Sequence, residues 1–471
     1  MFISEDNELF VLATVTALVA LGSIALSPRV STAGSFYKGH SPSGTAPGIL
    51  SLTLSQVTTW IFARSIMNAV ILGYFFGIGG AMAYAAYYLS FLTGAWIIQS
   101  LRFSHGFDSV QSFLSARFGG AGPICYNFVI GVRLLSEVFA NLLVIGIIFG
   151  QTGTTSYYIV MIAVGLVTLG YAMLGGLHAS IRTDVFQMSL FIIVLFALLA
   201  MVGIHGNFNF PDVLSSTPTL DNPGWVLLAV AFLQVWSYPM HDPVMMDRGF
   251  IADKRTTLHS FYHAAWLSII CILAFGFLGA YAGLNKLEGE TLTTTLPRLL
   301  GTDTMLLFNM ALIVSCMSTL DSTFSSAAKL GAVDLKATRP SVLNGRITMA
   351  LFLAGGLLMV YWGSKDLFSA VAVSGTASMF LAPVIFFSLW MKKETVPTWS
   401  YIAAFLTAIA GAVLYFLESS GYVSLMQPIT ALFMEPGLQH KYSKLLVISA
   451  LTLVLGCAYF ALGLFLQKKV R

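Results

Sequence analysis

Charged residues are scarce in this sequence, and their scarcity argues against a soluble protein. Asp, Glu, Lys and Arg make up 9% of the 471 residues, whereas soluble domains carry about 25%. Hydrophobic residues account for 57%, so most side chains must face lipid or one another. The formal net charge of +4 is small and the charged residues are dispersed, which argues against a nucleic-acid partner.

Cysteine is also rare, and the common enzyme motifs are missing. The four cysteines lack metal-ligand spacing and lie in or beside apolar runs, so we predict free, buried thiols for Cys125, Cys271, Cys316 and Cys457. The sequence has no H-E-x-x-H, P-loop or nucleophile elbow, and its eight histidines form no cluster. We therefore do not expect an enzyme. The acidic N-terminus is unlike a secretory signal peptide.

Long apolar runs dominate the rest of the sequence. A helix needs about 20 largely apolar residues to cross a bilayer. By that rule we predict thirteen spans, centred on 9–26, 47–76, 79–101, 123–149, 156–177, 185–204, 224–247, 260–284, 304–330, 345–363, 367–391, 398–417 and 445–466. No gap between them could hold a soluble domain, so residues 1–471 are expected to form one all-α membrane domain.

Lysine and arginine indicate the orientation of these spans. With the N-terminus outside, seventeen of the 24 lie in cytoplasmic loops, five lie in external loops, and Arg64 and Arg133 lie within spans. Cytoplasmic loops carry the excess of positive charge in membrane proteins. We therefore predict a multi-pass protein of a cell membrane (the inner membrane in a bacterium), with the N-terminus outside and the C-terminus inside.

Two of the spans are interrupted by polar residues or prolines. Residues 48–60 read GILSLTLSQVTTW, and residues 234–243 read QVWSYPMHDP with two prolines. Either segment alone is equally consistent with an ordinary kink whose hydroxyls bond to the preceding turn. The two lie five spans apart, however, as in transporters built from two inverted five-helix halves, where the broken helices form the binding site.

Three motifs resemble those of the solute:sodium symporter family. They are residues 175–187 (GGLHASIRTDVFQ), 315–322 (SCMSTLDS) and 247–250 (DRGF). The resemblance covers nearly the whole chain and implies sodium-coupled symport of a small polar solute by alternating access. It implies a leading helix (9–26), inverted repeats of five helices each (47–204 and 224–391) and two trailing helices (398–466).

A row of hydroxyls marks the candidate site for sodium. Ser315, Ser318, Thr319 and Ser322 share one helix face, and hard cations prefer oxygen ligands. Small hydroxyl residues are also common where membrane helices pack, so spacing alone leaves both interpretations open. The resemblance implies a sodium site made by the carbonyls of Leu54, Val57 and Ser315 and the hydroxyls of Ser318 and Thr319.

Asp321 lies on the same helix, and an acidic residue within a span indicates function by default. In some members of the family, the residues matching Ser318, Asp321, Ser322 and Asp184 form a second sodium site. The family often has a hydroxyl where this chain has Asp321, so this carboxyl could instead bind a proton. Asp184 has an equally good structural interpretation, in which it is stabilised by the dipole at the start of a helix.

A second group of polar and aromatic residues forms the candidate solute site. Arg133, Glu137 and Asn141 make a polar stripe, in which the first two are expected to pair with each other. Arg64 has no obvious partner in the sequence, and a cation at membrane depth often meets an anionic ligand or reaches the interface by snorkelling. The remaining candidates for the wall of the pocket are Gln56, Trp60, Tyr87, Trp236 and Tyr238.

The resemblance also bears on the substrate. Tyr238 matches an aromatic gate of the family's sugar carriers, but the lysine that these carriers use in the next helix is replaced here by Ile269 or Ile270. We therefore favour an amino acid or a carboxylate over a sugar. The alternatives are a proton-coupled symporter of the same fold and a membrane sensor, which would need an output domain.

Overall fold

The structure is a computed structural model that describes residues 5–41, 43–205, 208–217, 219–220, 222–362, 367–433 and 440–470. Within these ranges the chain forms helices and no strands. The α-helices, in chain order, are α1 (Glu5–Leu26), α2 (Ala33–Lys38), α3 (Ile49–Thr58), α4 (Ala63–Ala86), α5 (Ser90–Ile98), α6 (Val110–Phe118), α7 (Ala121–Phe149), α8 (Thr155–His205), α9 (Phe210–Leu214), α10 (Pro223–Gln234), α11 (Tyr238–His241), α12 (Pro243–Gly249), α13 (Lys254–Leu284), α14 (Leu292–Lys329), α15 (Val342–Trp362), α16 (Leu367–Ser378), α17 (Leu381–Pro383), α18 (Thr398–Ser419), α19 (Gln427–Phe433) and α20 (Lys441–Val470). Shorter 3-10 or π segments occupy Tyr87–Leu89, Gln99–Ser104, Leu330–Asp334 and Val384–Trp390.

The prediction of an all-helical, multi-pass membrane protein is confirmed. Among the described residues, nine helical segments are long and apolar enough to cross a bilayer, or ten with the bent pair Ala372–Ser378 and Leu381–Trp390. The count of thirteen stays a prediction. Thirteen spans require the helical segments Ala63–Ser104 and Thr155–Ile204 each to cross the membrane twice. They also require the interrupted segment 223–249 to cross it once. The last residue of the predicted span 345–363 lies outside the described residues.

Two glycines bend helices α4 and α8 where span boundaries were predicted. Gly77 in α4 has φ 58° and Gly176 in α8 has φ 56°, a left-handed conformation that favours glycine. A side chain at Gly176 would also collide with the carbonyl oxygen of Phe36, 2.5 Å from its ideal Cβ position. Asp184 lies about two turns beyond this bend, inside α8. The interpretation of Asp184 as a helix-start residue is therefore wrong, because the helix begins earlier than the sequence indicated.

Both predicted helix breaks are present. The first separates α3 from α4 at residues 59–62, and the second separates α10 from α11 at residues 235–237. Side chains satisfy the carbonyls that these breaks expose, as membrane-embedded backbone requires. Tyr88 donates to the carbonyl of Trp60 (2.7 Å), and Thr93 donates to that of Val235 (2.6 Å).

The most extensive helix packing joins helices that are distant in the sequence. The most extensive contacts join α4 to α13 and α8 to α14. In the α4–α13 contact, a side chain on Gly73 would lie 2.1 Å from the carbonyl oxygen of Gly276. Small residues allow such close approach between membrane helices. The first break itself lies beside the middle of α14, where Ser315 and Thr319 contact the carbonyls of Ile61 and Thr58.

The loop between α13 and α14, which the charge pattern places outside, is closed by an ion pair. Nε and Nη2 of Arg298 lie 2.6 and 2.8 Å from the two carboxylate oxygens of Glu290. Hydrogen bonds from Arg298 lower the pKa of Glu290 to about 2. The pair therefore stays ionised at physiological pH.

All four cysteines are free, as predicted. Cys271 and Cys316 are buried, whereas Cys125 and Cys457 are partly exposed. The chain is thus held together by packing and polar contacts between helices, without a disulfide.

Candidate functional site

A narrow cavity lies beside the first helix break. It is lined mostly by aromatic side chains, contributed by Trp60, Phe62, Ser65, Tyr84, Tyr87, Tyr88, Arg133 and Tyr238. Four of the residues proposed from the sequence for the solute site, Trp60, Tyr87, Arg133 and Tyr238, therefore come together. The sequence analysis missed the other four. The spacing of Tyr84, Tyr87 and Tyr88 along one helix face was the signal available for the tyrosines.

The aromatic side chains pack edge to face around the cavity. The ring of Trp60 lies 5.5 Å from that of Tyr88 and 5.3 Å from that of Tyr238, and Tyr87 lies 6.0 Å from Tyr238. Such pairs favour fixed ring orientations. They join residues from the first break, the segment after α4, and α11, so a ligand in the cavity would contact both interrupted segments.

Trp236 occupies a different place from the one predicted. Its ring lies 6.5 Å from Trp96, 6.1 Å from Phe386 and 6.2 Å from Trp390, and it is not among the residues that line the cavity. Tyr238, two residues later, turns toward the cavity. The irregular backbone between α10 and α11 directs the two side chains apart, which the sequence pattern did not show.

Arg64 is buried without a hydrogen-bonding partner among the described residues. Its side chain is 0% exposed, all three guanidinium nitrogens lack an acceptor, and its cationic carbon lies 5.0 Å from the ring centre of Phe62. Both amide atoms of Gln56 and Nε1 of Trp60 are likewise buried and unpartnered. Leaving such groups unsatisfied costs about 1–3 kcal/mol each, and more for a charge. Their concentration at the break indicates a binding site for a polar ligand.

Arg133 pairs with two acidic residues. Its Nη2 lies 2.6 Å from Glu137, as predicted, and 3.0 Å from Asp242, which the sequence analysis did not select. All three side chains are at most 2% exposed. Asp242 also accepts the backbone N–H of Met245 at the start of α12 (3.0 Å). Arg133 thus has acidic partners within the protein, whereas Arg64 has no hydrogen-bonding partner among the described residues.

The hydroxyl row on α14 faces the first break. Ser315 Oγ donates to the carbonyl of Ile61, and Thr319 Oγ1 lies 3.2 Å from the carbonyl of Thr58 and 3.0 Å from that of Ser315. These contacts differ from the predicted ones by one turn, since Leu54 and Val57 were expected to supply the carbonyls. The Val57 carbonyl accepts the backbone N–H groups of Trp60 and Ile61 (3.1 and 3.0 Å).

The four residues of the possible second ion site also lie together. Asp184 accepts hydrogen bonds from Ser318 (3.0 Å) and Ser322 (3.1 Å). Asp321 accepts hydrogen bonds from Ser180 (3.0 Å) and Thr183 (2.7 Å), both on the same stretch of α8 as Asp184. The motifs at 175–187 and 315–322 therefore form one buried polar cluster between α8 and α14.

Arg248 belongs to this cluster, although the sequence placed it in a cytoplasmic loop. Its side chain is 0% exposed, and Nη2 lies 2.8 Å from Asp184 Oδ2 and 2.8 Å from Ser322 Oγ. The loop prediction for Arg248 is wrong because the short helix α12 packs between neighbouring helices instead of ending in water. Its acidic partner lies 64 residues earlier in the chain, so local sequence could not show the pair.

Solved structures provide the only similarities found. No protein-family model and no curated protein sequence matches the chain. A Na+-coupled sialic acid symporter in a substrate-bound outward-open state is 14% identical, with a TM-score of 0.71 over 97% of this chain and 98% of that one. The nucleobase-cation-symport-1 family transporter Mhp1, closed around bromovinylhydantoin, is 14% identical, with a TM-score of 0.56 over 91% and 94%. A manganese transporter of Eremococcus coleocola is 12% identical, with a TM-score of 0.53 over 88% and 95%.

At these identities the likeness concerns the fold. The chain has the fold of sodium-coupled symporters built from inverted repeats, which confirms the fold that the motif resemblance implied. The similar proteins are transporters, and each aligns along nearly its whole length.

Proposed function

We propose that this chain is a sodium-coupled symporter that carries a small amino acid or carboxylate across a cell membrane by alternating access. One observation carries the proposal: the break at residues 59–62 lies between an aromatic cavity and a row of hydroxyls on α14, and it is followed by Arg64, a buried cation with no hydrogen-bonding partner among the described residues. In this proposal the chain crosses the membrane thirteen times, with inverted repeats at 47–204 and 224–391.

The charged residues near the cavity are the reason to propose a solute with a carboxylate group. Arg133 is neutralised by Glu137 and Asp242, whereas the guanidinium of Arg64 has no acceptor among the described residues. Guanidinium and carboxylate groups form strong, often bidentate hydrogen bonds. We propose that the carboxylate of the solute binds Arg64. The aromatic side chains would enclose the rest of a small molecule, and the amide of Gln56 would add a further polar contact.

The sodium site is proposed beside the same break. The Ser318 hydroxyl donates a hydrogen bond to Asp184, and the Thr319 hydroxyl donates one to the Ser315 carbonyl. Both hydroxyl oxygens thereby keep lone pairs that can face a cation, and such oxygens are the ligands hard cations prefer. The carbonyls of Thr58 and Ile61 at the break accept hydrogen bonds from Thr319 and Ser315, so they border the proposed site. The carbonyls predicted from the sequence as ligands are those of Leu54, Val57 and Ser315.

Sharing one break would couple the two ligands. Sodium on the α14 side and solute on the cavity side would both order residues 59–62, so each would favour the conformation that binds the other. An inward-negative potential favours cation entry by about 2.3 kcal/mol per charge per 100 mV. That driving force is sufficient for substantial accumulation of the solute.

A proton-coupled symporter is the second candidate. Asp321 is a fully buried carboxyl whose oxygens accept hydrogen bonds from Ser180 and Thr183. Unlike Asp184, it makes no ion pair among those found in the described residues. A proton on Asp321 would remove its charge from the interior and give the chain a titratable coupling site.

A ligand screen tests the proposal. Purified full-length chain in detergent would be heated with amino acids, organic acids, urea or sugars, each with sodium or with choline. We expect a small amino or organic acid to raise the melting temperature more in sodium than in choline. We expect Arg64→Gln to lose the solute effect and to keep the sodium effect. Stabilisation by a sugar alone, independent of sodium, would contradict both the substrate class and the coupling ion.

A further inference from the structure

We infer that Arg248 is the resident cation of the second ion pocket, so that this chain couples solute movement to a single sodium ion. The inference rests on the proposed sodium-coupled function and specifies its stoichiometry. It concerns the pocket formed by Asp184, Ser318, Asp321 and Ser322, from which a second sodium ion was predicted. Asp321 accepts hydrogen bonds from Ser180 and Thr183 there.

The guanidinium of Arg248 is fully engaged in this pocket. Nη2 donates to Asp184 Oδ2 and to Ser322 Oγ, both at 2.8 Å, and Nε donates to Ser55 Oγ at 2.6 Å. Nη1 donates to the carbonyl of Val244 at 2.9 Å, within the turn that carries Arg248. The side chain is 0% exposed. A buried charge with a partner for every nitrogen is a built part of the site rather than a side chain folded in by chance.

The ligands that a second sodium ion would need are already used. Asp184 Oδ1 accepts from Ser318 at 3.0 Å and from Ser322 at 3.1 Å. Asp184 Oδ2 accepts from Arg248 at 2.8 Å and from Ser55 at 2.5 Å. A hard cation takes several oxygen ligands at once. To enter, sodium would have to displace these donors while lying close to a positive guanidinium that repels it.

The same contacts make Arg248 a positioning residue. It lies on α12, in the second interrupted segment, and contacts Ser55 on α3, Asp184 on α8 and Ser322 on α14. Ser318, a proposed ligand of the first sodium ion, donates to the same carboxylate. By binding Oδ2, Arg248 orients the Asp184 carboxylate, whose Oδ1 accepts the hydrogen bond from Ser318. One protein cation thus pairs with Asp184 and orients a ligand of the transported ion.

Direct counting of bound sodium tests the inference. Equilibrium binding of ²²Na⁺ to the full-length protein would be measured for the wild type, Arg248→Gln, Arg248→Lys and Arg182→Gln. Arg182 is an exposed arginine on α8 near Asp184 and serves as the matched control. We expect one sodium ion per chain in the wild type and both control variants, and two in Arg248→Gln, since only that variant frees the Asp184 carboxylate.

The difference in bound sodium ions per chain between Arg248→Gln and the wild type decides the test. A folded Arg248→Gln chain that binds no additional sodium would overturn the inference. If Arg248→Gln does not fold, the sodium count of the wild type decides: one ion per chain agrees with the inference, and two ions overturn it. A wild type that binds no sodium would refute the proposed function, whereas two ions in the wild type would refute only this inference.

Discussion

Nη2 of Arg133 lies 3.0 Å from Oδ2 of Asp242, although 109 residues separate them in the chain. Arg133 lines the cavity from α7, and Asp242 separates α11 from α12 in the second interrupted segment. The pair therefore connects the wall of the cavity to the second interrupted segment. It gives Arg133 a second acidic partner, whereas Arg64 has no hydrogen-bonding partner among the described residues.

Removing the Asp242 carboxylate should weaken the fold. Breaking a buried ion pair costs about 3–5 kcal/mol, and because Glu137 still pairs with Arg133 we expect Asp242→Ala to lose about 3 kcal/mol. Thermal unfolding in detergent would measure the loss. Glu394→Gln is the matched control, because it removes the pair with Arg117 in which Glu394 is 68% exposed, and such pairs contribute about 0–1 kcal/mol. Equal melting temperatures for the two variants would show that Asp242 is dispensable.

Arg64→Gln should weaken solute binding without weakening sodium binding. A hydrogen bond to a charged group contributes about 1.5–3 kcal/mol, so we expect the apparent solute constant to rise about 10- to 100-fold. Titration of solute against tryptophan fluorescence, with a parallel sodium titration, would measure both constants. An unchanged solute constant in a folded variant would make Arg64 a structural residue. Arg298→Gln, near the start of α14, controls for the loss of an arginine.

Thr319→Ala and Ser318→Ala should weaken sodium dependence. Each variant removes one oxygen ligand from the proposed site, and we expect the sodium concentration for half-maximal solute binding to rise about tenfold. Ser325→Ala is the matched control on α14, because its buried hydroxyl donates to the carbonyl of Ser322 within the same helix. If all three variants show the same sodium dependence, the hydroxyl row does not bind the ion.

Labelling of single cysteines should reveal the orientation. The charge bias predicts that Thr293, in the first turn of α14, faces outward and that Lys254, at the start of α13, faces inward; both are exposed. In intact cells, a membrane-impermeant maleimide should label Thr293→Cys and should label Lys254→Cys only after the membrane is permeabilised. A reporter fused after Arg471 should likewise be active in the cytoplasm. The opposite labelling pattern would reverse the predicted topology.

The fold could be predicted from local sequence to a large extent. Apolar runs identified the membrane helices, and polar residues or prolines marked both interruptions. The first break nevertheless begins after Thr58, later than its polar residues suggested, because the side chains of Thr58 and Thr59 bond to carbonyls of their own helix. Because the break begins later, the carbonyls that contact α14 are those of Thr58 and Ile61, one turn after the predicted Leu54 and Val57.

The candidate site was predicted only in part, since many of its contacts are long-range. Periodicity placed Ser315, Ser318 and Thr319 on one face, and the motifs brought Asp184 near Asp321. The role of Arg248 depends on how α12 packs, and a charge at the end of an apolar run normally indicates a loop. Trp236 was misplaced for a similar reason, because side-chain direction in an irregular segment follows from tertiary packing and not from periodicity.

The central claim is that sodium drives transport through the site beside residues 59–62. The most direct test is uptake of the solute identified by the screen into proteoliposomes, with a sodium gradient or a proton gradient imposed alone. We predict uptake with the sodium gradient and none with the proton gradient, together with loss of sodium-driven uptake in Thr319→Ala and its retention in Asp321→Asn. Uptake that is driven by protons, indifferent to sodium and abolished in Asp321→Asn would contradict the account and assign the coupling ion to Asp321.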